Sequence, residues 1–270
     1  MEEMGKRKGA FTLVELLAVI GIIAVLASLL LPALVRAKEQ ARTIRCAGNV
    51  RQMMVAMGMY VDDFGCYPAV SRMEESGYTK DWQEVLAPYL SLQSPYLLPE
   101  EPPAEYVTTV SVFNCPSYKE YGSRCYSEGG GSAFVPFSMY GYNAQSPHAL
   151  SRNAVGPADD DTNYTREAMI ATPAEMIAIG DADMVAYDMP LTVVGNIELR
   201  YIPMKYRQRN AASFEREQKA VKERHKGSYM IGFCDGHAKS IPFTRLFAND
   251  AEARRIWNYD HESQRTVYDE

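Results

Sequence analysis

The side chains that could support catalysis or metal binding are few and far apart in this chain of 270 residues. His225 and Asp235 are suitable types, but ten residues of extended strand separate two groups by about 33 Å. We therefore do not expect them to pair directly. Asp235-Gly236 lies between two β-prone runs, which predicts a two-residue hairpin turn of type I′. His225 is then expected to hydrogen-bond the chain that enters the first strand.

Enzyme motifs of other kinds are missing from the sequence. It has no Gly-x-x-x-x-Gly-Lys loop, no nucleophile elbow and no His-Glu-x-x-His helix. Its four histidines do not follow a metal-ligand spacing, although Asp235 and His237 can meet across their turn. No catalytic residue, metal or other cofactor is therefore predicted.

One acidic loop imitates a calcium site. Asp159, Asp161 and Asn163 have the spacing that begins an EF-hand loop, but Tyr164 and Ile170 occupy positions that need glycine and a bidentate glutamate. This excludes an EF-hand. We interpret the loop as a solvated linker and keep a looser calcium site as the alternative.

The elements that must position these residues begin with an apolar segment. Leu16 to Val35 is a run of twenty residues without a charge. As a helix it would be about 30 Å long, enough to span a bilayer core. Residues 1–10 are polar and basic, and no good signal-peptidase site follows the run, because residues 36–39 continue in charged, helix-favouring types. We expect the apolar helix to stay and the polar leader to be removed.

Charge and aromatic residues divide the chain in a similar way. Eight Lys or Arg against four acids up to Arg51 give a net charge of +4, so the remainder must carry −10 to reach the total of −6. All eighteen Tyr and both Trp lie beyond residue 59. We predict a leader (1–10), a stem helix (11–64) and an acidic head (65–270). A nucleic-acid role is disfavoured, because phosphate binding requires a basic surface.

The junction of leader and stem carries a recognisable motif. The segment Gly9-Ala10-Phe11-Thr12-Leu13-Val14-Glu15 resembles the processing and methylation site of type IV pilins and type II secretion pseudopilins. The resemblance implies that a prepilin peptidase cuts between Ala10 and Phe11 and that Phe11 is N-methylated. Glycine usually precedes the cut in those families, whereas this chain has Ala10 there and Gly9 one position earlier.

Two further stem residues match the same families. Glu15 is a lone carboxylate beside an uncharged span, where an ionised group costs at least about 2.5–3.5 kcal/mol unless it is paired. The resemblance implies that Glu15 neutralises the N-terminal amine of a neighbouring subunit; the alternative is placement near lipid headgroups. Pro32 matches the helix-breaking proline of pilins and is expected to kink or locally melt the helix.

Beyond Pro32, apolar residues at spacings of three and four extend the stem helix to about Asp62. The face predicted to pack on the head consists of Ile44, Ala47, Val50, Met54, Met57 and Val61. In the head we expect a helix over 82–92, a last helix over 248–257, and strands over 106–113, 138–142, 176–180, 228–234 and 237–243.

The head contains a second recognisable motif. His225, nine residues and then Asp235-Gly236 resemble the C-terminal processing-associated domain named for its H-x9-D-G signature, here residues 225–236. Further landmarks of the same group of proteins are Cys46 with Asn49, Cys115-Pro116, Tyr142-Asn143 and Gly180-Asp181. The resemblance implies an α+β, pilin-like fold in which the long helix packs on a mainly antiparallel sheet.

Five cysteines leave at least one thiol outside any pair within the chain. A bridge between Cys46 and Cys115 would tie the stem helix to the head, and one between Cys66 and Cys125 would close a loop. Other pairings stay open, because the sequence cannot choose among them. Cys234, beside the turn, is the best candidate for a free and buried thiol.

The resemblance predicts a structural subunit of a type II secretion-like pseudopilus or a related fibre. Its expected partners are the prepilin peptidase, other pseudopilin subunits, further copies of itself, the inner-membrane secretion platform and, through residues 11–35, the lipid bilayer. The head is expected to be extracytoplasmic. Two alternatives are a membrane-anchored binding module with a tyrosine-rich head and an anchored hydrolase.

Overall fold

The structure, a computed structural model, describes residues 13–73, 79–91, 111–113, 115–117, 140–143, 156–157, 164–181, 184–186, 193–195, 198–199 and 225–260. Its longest element is helix α1 (Leu13–Phe64). The chain divides into two compact units, Met1–Ala41 and Arg42–Glu270, and each is described by itself.

In the first unit, α1 is apolar on all sides. Its large apolar side chains between Leu13 and Val35 are 47–72% exposed. An 18-residue window of the helix has a mean hydropathy of 2.8 and contains no buried residue. The helix continues through Pro32, so the expected local melting is not seen. A helix of this length and composition can cross a bilayer.

The described strands of the second unit form three sheets. They are β1 (Ser71–Met73), β2 (Thr79–Asp81), β3 (Tyr140–Asn143), β4 (Gly156–Pro157), β5 (Ile177–Asp181), β6 (Met184–Ala186), β7 (Val193–Gly195), β8 (Glu198–Leu199), β9 (Ser228–Phe233) and β10 (Ala238–Pro242). The largest sheet has the order β10-β9-β5-β3-β8. Its first four strands are antiparallel, and β8 joins β3 in parallel. This confirms an α+β fold with a long N-terminal helix and a mainly antiparallel sheet.

Two apolar clusters provide the core of this unit. One combines residues of α1 from Cys46 to Val61 with Tyr140, Tyr142, Ile179 and Met230 of the large sheet. The other combines Ile177 and alternate β9 residues with the short helices α3 (Phe243–Leu246) and α4 (Ala251–Arg255), and with Trp257. Because side chains alternate along a strand, β9 contributes Met230 to the first cluster and Tyr229 and Ile231 to the second.

At Gly232 on β9, helix α1 lies too close to the sheet to leave room for a side chain. A Cβ at this position would lie 2.7 Å from Met54 Cγ and 2.9 Å from Val50 Cγ1, distances that real Cβ contacts do not reach. The backbone of Gly232 is not in a left-handed conformation, so glycine is required here for space.

Asn143, at the end of β3, joins the sheet to the C-terminal part of the head. Its Nδ2 donates to the carbonyl oxygens of Ile177, at 2.9 Å, and Trp257, at 3.0 Å, and the side chain is buried. Buried carbonyl groups need such partners. The Tyr142-Asn143 landmark therefore has a structural role: Tyr142 stacks on Trp82, with ring centroids 5.8 Å apart, and Asn143 satisfies two backbone groups.

Some predicted elements differ from those observed. Ile44, placed on the packing face by its spacing, is 66% exposed. The predicted helix over 82–92 is α2 (Trp82–Leu86) followed by a 3-10 turn (Ala87–Leu90), because Pro88 has no N–H for an α-helical bond.

Two further elements differ from the prediction. Of the predicted strand 106–113, the structure describes residues 111–113, and these form a 3-10 turn. The last helix is shorter than predicted: α4 begins after Asp250, whose side chain accepts from the Ala253 N–H at 2.7 Å.

We expect Gly232→Ala to lower the free energy of unfolding by about 1–3 kcal/mol, because the added methyl group overpacks the contact with Val50 and Met54. Gly58→Ala is the matched control: it lies on the exposed side of α1 with nothing near its added Cβ. That variant should gain about 0.5–1 kcal/mol. Thermal unfolding followed by circular dichroism compares the two, and equal stability of both variants would contradict the close approach at Gly232.

Candidate functional site

A cluster of four chemically reactive side chains lies buried in the second unit. Cys46, Cys115, Asp181 and His225, hereafter the Cys/His/Asp cluster, place one ligand-type atom each within 4.8 Å of all the others. All four residues are buried. They come from four separate segments of the chain, so their local structure is described in turn.

Cys46 lies on the buried face of α1, one turn before Val50. Its Sγ is 2.7 Å from the Tyr140 hydroxyl on β3 and 3.2 Å from Cys115 Sγ. Cys115 belongs to a short turn, 115–117, that begins with Cys-Pro. The Sγ–Sγ distance exceeds the roughly 2.05 Å of a disulfide bond, so the two cysteines are not joined by a disulfide.

His225 reaches the cluster from an unusual turn before β9. His225, Lys226 and Gly227 have φ values of 45°, 58° and 85°, a left-handed run that disfavours residues other than glycine. The turn brings His225 Nε2 to 3.2 Å from Cys115 Sγ and Nδ1 to 3.2 Å from Thr43 Oγ1. When Nδ1–H donates to Thr43, the lone pair of Nε2 faces Cys115.

Asp181 closes the cluster from the end of β5. Its Oδ2 accepts a hydrogen bond from the Met230 backbone N–H at 2.6 Å and lies 3.8 Å from His225 Nε2. Backbone hydrogen bonds of this kind favour a carboxylate in its ionised form. Asp181 therefore brings negative charge to a buried position.

The electrostatics of the cluster disfavour additional negative charge. Burial raises the pKa of the Cys46 thiol well above its ordinary value, and the contact with Cys115 and the charge of Asp181 act in the same direction. Burial likewise raises the pKa of Tyr140. An ionised thiol here requires a compensating cation. Two kinds of chemistry are open to this arrangement: the two thiols can form a disulfide when an external disulfide or other oxidant accepts their two electrons, or the cluster can bind a metal ion.

Two protein-family models match parts of this chain. A family model described as "Protein of unknown function (DUF1559)" matches residues 35–174, just over half of the chain. The chain belongs to this family. The prokaryotic N-terminal methylation motif matches residues 5–31. Both are typical of type II secretion pseudopilin-like proteins, so the predicted resemblance is confirmed and the chain is of the pilin or pseudopilin type. Searches of curated proteins and of solved structures found no match.

The family match includes Cys46 and Cys115 and ends before Asp181 and His225. The methylation motif and the apolar N-terminal part of α1 fit a membrane-anchored protein. The motif also implies processing by a prepilin peptidase and assembly with other pilin-like subunits. A pilin-type motif favours a structural role over catalysis.

The H-x9-D-G residues are found at opposite ends of β9. Asp235 does not contact His225; its Oδ1 accepts from the backbone N–H of His237, at 3.1 Å, and contacts the His237 ring.

The prediction of a type I′ turn at Asp235-Gly236 is wrong. Gly236 N–H bonds to Phe233 O and Phe233 N–H to His237 O, which makes a three-residue loop. Only Gly236 of the loop has positive φ, at 92°, because a type I turn followed by a left-handed residue needs just one.

Other predicted site residues are accounted for as follows. Glu15 lies in the first turn of α1, and Pro32 lies within it. Cys66 and Cys234 are half-buried, and neither forms a disulfide bond. The processing residues Gly9, Ala10 and Phe11, the loop residues Asp159, Asp161 and Asn163, and Cys125 lie outside the described residues.

Residue spacing does not group these four side chains. Metal-ligand motifs that are recognisable in a sequence have short spacings, whereas neighbouring members of this cluster are at least 44 positions apart. A usable signal was nevertheless present. Each of the four residues belongs to a motif already noted: Cys46 with Asn49, Cys115-Pro116, Gly180-Asp181 and the H-x9-D-G signature.

We expect Lys226→Gly to stabilise the protein by about 0.5–1 kcal/mol, because glycine relieves the left-handed strain at an exposed position of the turn that holds His225. Lys239→Gly, on the exposed edge strand β10, is the control. It should lose about 0.5–1 kcal/mol, since glycine weakens a strand. Thermal unfolding of the two variants should therefore move in opposite directions, and a loss of similar size in both would refute strain in the turn.

Proposed function

We propose that this chain is a structural subunit of a type II secretion-like pseudopilus or a related fibre. One observation carries the proposal: the segment that matches the methylation motif leads into the part of α1 from Leu13 to Val35, whose large apolar residues are exposed on every side. A helix that is hydrophobic all round needs an apolar environment. Lipid supplies it to the single subunit, and helices of neighbouring subunits supply it within a fibre.

The exposed apolar part of α1 and the methylation motif suggest an order of insertion, processing and assembly. The chain is inserted in the inner membrane through residues 11–35, with its head on the extracytoplasmic side. A prepilin peptidase removes residues 1–10, and Phe11 becomes N-methylated. The subunit then joins copies of itself and other pseudopilin subunits at the inner-membrane secretion platform. In this role the chain needs no catalytic site.

Glu15 is the polar residue on which this assembly would depend. It lies in the first turn of α1 next to Leu13, Val14, Leu16 and Leu17, which are 53–72% exposed. A carboxylate in such surroundings is costly unless a cation is near. After cleavage, the new N-terminal amine of a neighbouring subunit would provide that cation and would set the axial position of one helix against the next.

We expect Glu15→Ala to reduce the yield of sheared fibres and of cross-linked multimers at least about tenfold, which corresponds to a loss of about 1.4 kcal/mol per contact. The measurement is cross-linking and fibre recovery from cells that supply the peptidase and the secretion platform. Mass spectrometry of the N-terminal peptide first verifies that each variant begins with methylated Phe11, so that a processing defect is recognised.

Ser28→Ala is the matched control. It also removes a polar side chain from the exposed apolar part of α1, where Ser28 Oγ donates only to the Val25 carbonyl oxygen of its own helix, at 2.7 Å. It should assemble like the wild type. Wild-type levels of fibre with Glu15→Ala would contradict the role of Glu15. A processed wild-type protein that never cross-links to itself would instead favour a membrane-anchored binding module.

A further inference from the structure

The role of a fibre subunit leaves the Cys/His/Asp cluster without a use. Assembly through the N-terminal half of α1 does not call for two thiols, an imidazole and a carboxylate at one buried point. Burying such groups together is expensive unless something compensates them. The cluster therefore calls for an explanation of its own.

We propose that Cys46, Cys115, Asp181 and His225 bind one Zn²⁺ ion in a closed, four-coordinate site. Two cysteines, a histidine and a carboxylate are all established types of zinc ligand, and four protein ligands are typical of structural zinc. The site would fasten α1, the Cys-Pro turn, the end of β5 and the turn before β9 to one another.

The geometry of the cluster fits a tetrahedral ion. With bonds of about 2.0–2.3 Å, the ligand atoms of a tetrahedral zinc site are about 3.3–3.8 Å apart. The two Sγ atoms are 3.2 Å apart, Cys115 Sγ and His225 Nε2 are 3.2 Å apart, and His225 Nε2 is 3.8 Å from Asp181 Oδ2. With all the ligand atoms within 4.8 Å of one another, only small side-chain adjustments are needed to surround one ion.

The donor types select zinc over harder cations. Calcium and magnesium require several oxygen ligands, and this cluster has a single carboxylate. Thiolate sulfur combined with imidazole nitrogen in a tetrahedral arrangement favours zinc. As each Zn–S bond forms, the thiol releases its proton to solvent, so binding neutralises the charge of the ion without oxidising the sulfur.

Outer contacts hold three of the four ligands in position. His225 Nδ1 lies 3.2 Å from Thr43 Oγ1, which orients Nε2 toward the sulfurs. Cys46 Sγ contacts the Tyr140 hydroxyl, and the Met230 N–H donates to Asp181 Oδ2. Zinc sites depend on such outer partners to orient their ligands. The left-handed backbone of His225 adds to this, because strained residues of this kind concentrate at functional sites.

A disulfide between Cys46 and Cys115 is the competing use of the same two sulfurs. It would account for the short Sγ–Sγ distance. It would not account for the buried imidazole and carboxylate beside the sulfurs, or for the contact with Thr43 that orients the His225 ring. Zinc uses all four groups, and for this reason we favour it; the disulfide is an outcome of the test below.

The experiment uses the full-length chain, purified in detergent, reduced with a phosphine and stripped of metal by a chelator. We expect it to bind one equivalent of Zn²⁺. With Co²⁺ in place of zinc, we expect the visible bands of a tetrahedral ion and the near-ultraviolet band of thiolate-to-cobalt charge transfer. The cobalt spectrum of the wild type reports the ligand types directly, so the test does not depend on any variant folding.

Variants then assign the ligands through competition with a chromophoric chelator. Removing an outer partner costs about 10–100-fold in metal affinity, so Thr43→Val should bind about tenfold more weakly. Cys115→Ser and His225→Ala remove ligands and should weaken zinc binding at least about 100-fold. The controls are Cys234→Ser and His237→Ala, which change a free thiol and an exposed histidine outside the cluster and should bind zinc like the wild type.

Three results would overturn the proposal. The first is a wild-type affinity no tighter than that of Cys115→Ser. The second is a cobalt spectrum without the thiolate band. The third is a Cys46–Cys115 disulfide peptide in protein taken from membranes without reduction, which would assign the pair to a covalent link. Because the metal is measured on purified subunits, none of these results depends on whether the chain assembles into a fibre.

Discussion

The close contact between α1 and the sheet at Gly232 is the constraint on which the rest of the head depends. The absence of a side chain there lets Val50 and Met54 lie directly on β9. The same helical stripe continues one turn back to Cys46, which therefore meets Tyr140 on β3 and Cys115 beyond the helix. The short distance between α1 and β9 at Gly232 therefore allows both the packing of the helix on the sheet and the formation of the Cys/His/Asp cluster.

The burial of apolar side chains changes along helix α1. Between Leu13 and Val35 every large apolar side chain is exposed, whereas Val50, Met53, Met54 and Met57 are almost completely buried. Apolar residues on all sides suit lipid or neighbouring helices, and an apolar stripe suits a sheet. Assembly and the internal structure of the head can therefore be changed separately, because they use different residues of the same helix.

The H-x9-D-G signature describes two structural tasks separated by one strand. His225 begins a left-handed turn and contacts Cys115 through its ring, and Asp235 with Gly236 forms the loop that leads into β10. Between them β9 pairs with β5 on one side and β10 on the other. The nine intervening residues are thus Lys226 and Gly227 of the turn, the six residues of β9, and Cys234. The spacing reflects the strand and not a contact between His225 and Asp235.

Local patterns in the sequence determined much of this protein. The uncharged run from Leu16 to Val35 requires an apolar environment, and the spacing of Val50, Met54 and Met57 identifies the packing face, because helical periodicity acts over neighbouring turns. Gly236 marks the hairpin because its positive φ is a local requirement. The type of turn at Asp235, the exposure of Ile44 and the grouping of Cys46, Cys115, Asp181 and His225 were decided only by the tertiary structure. Each depends on how segments far apart in the chain meet, and residue spacing along the chain carries no information about that distance.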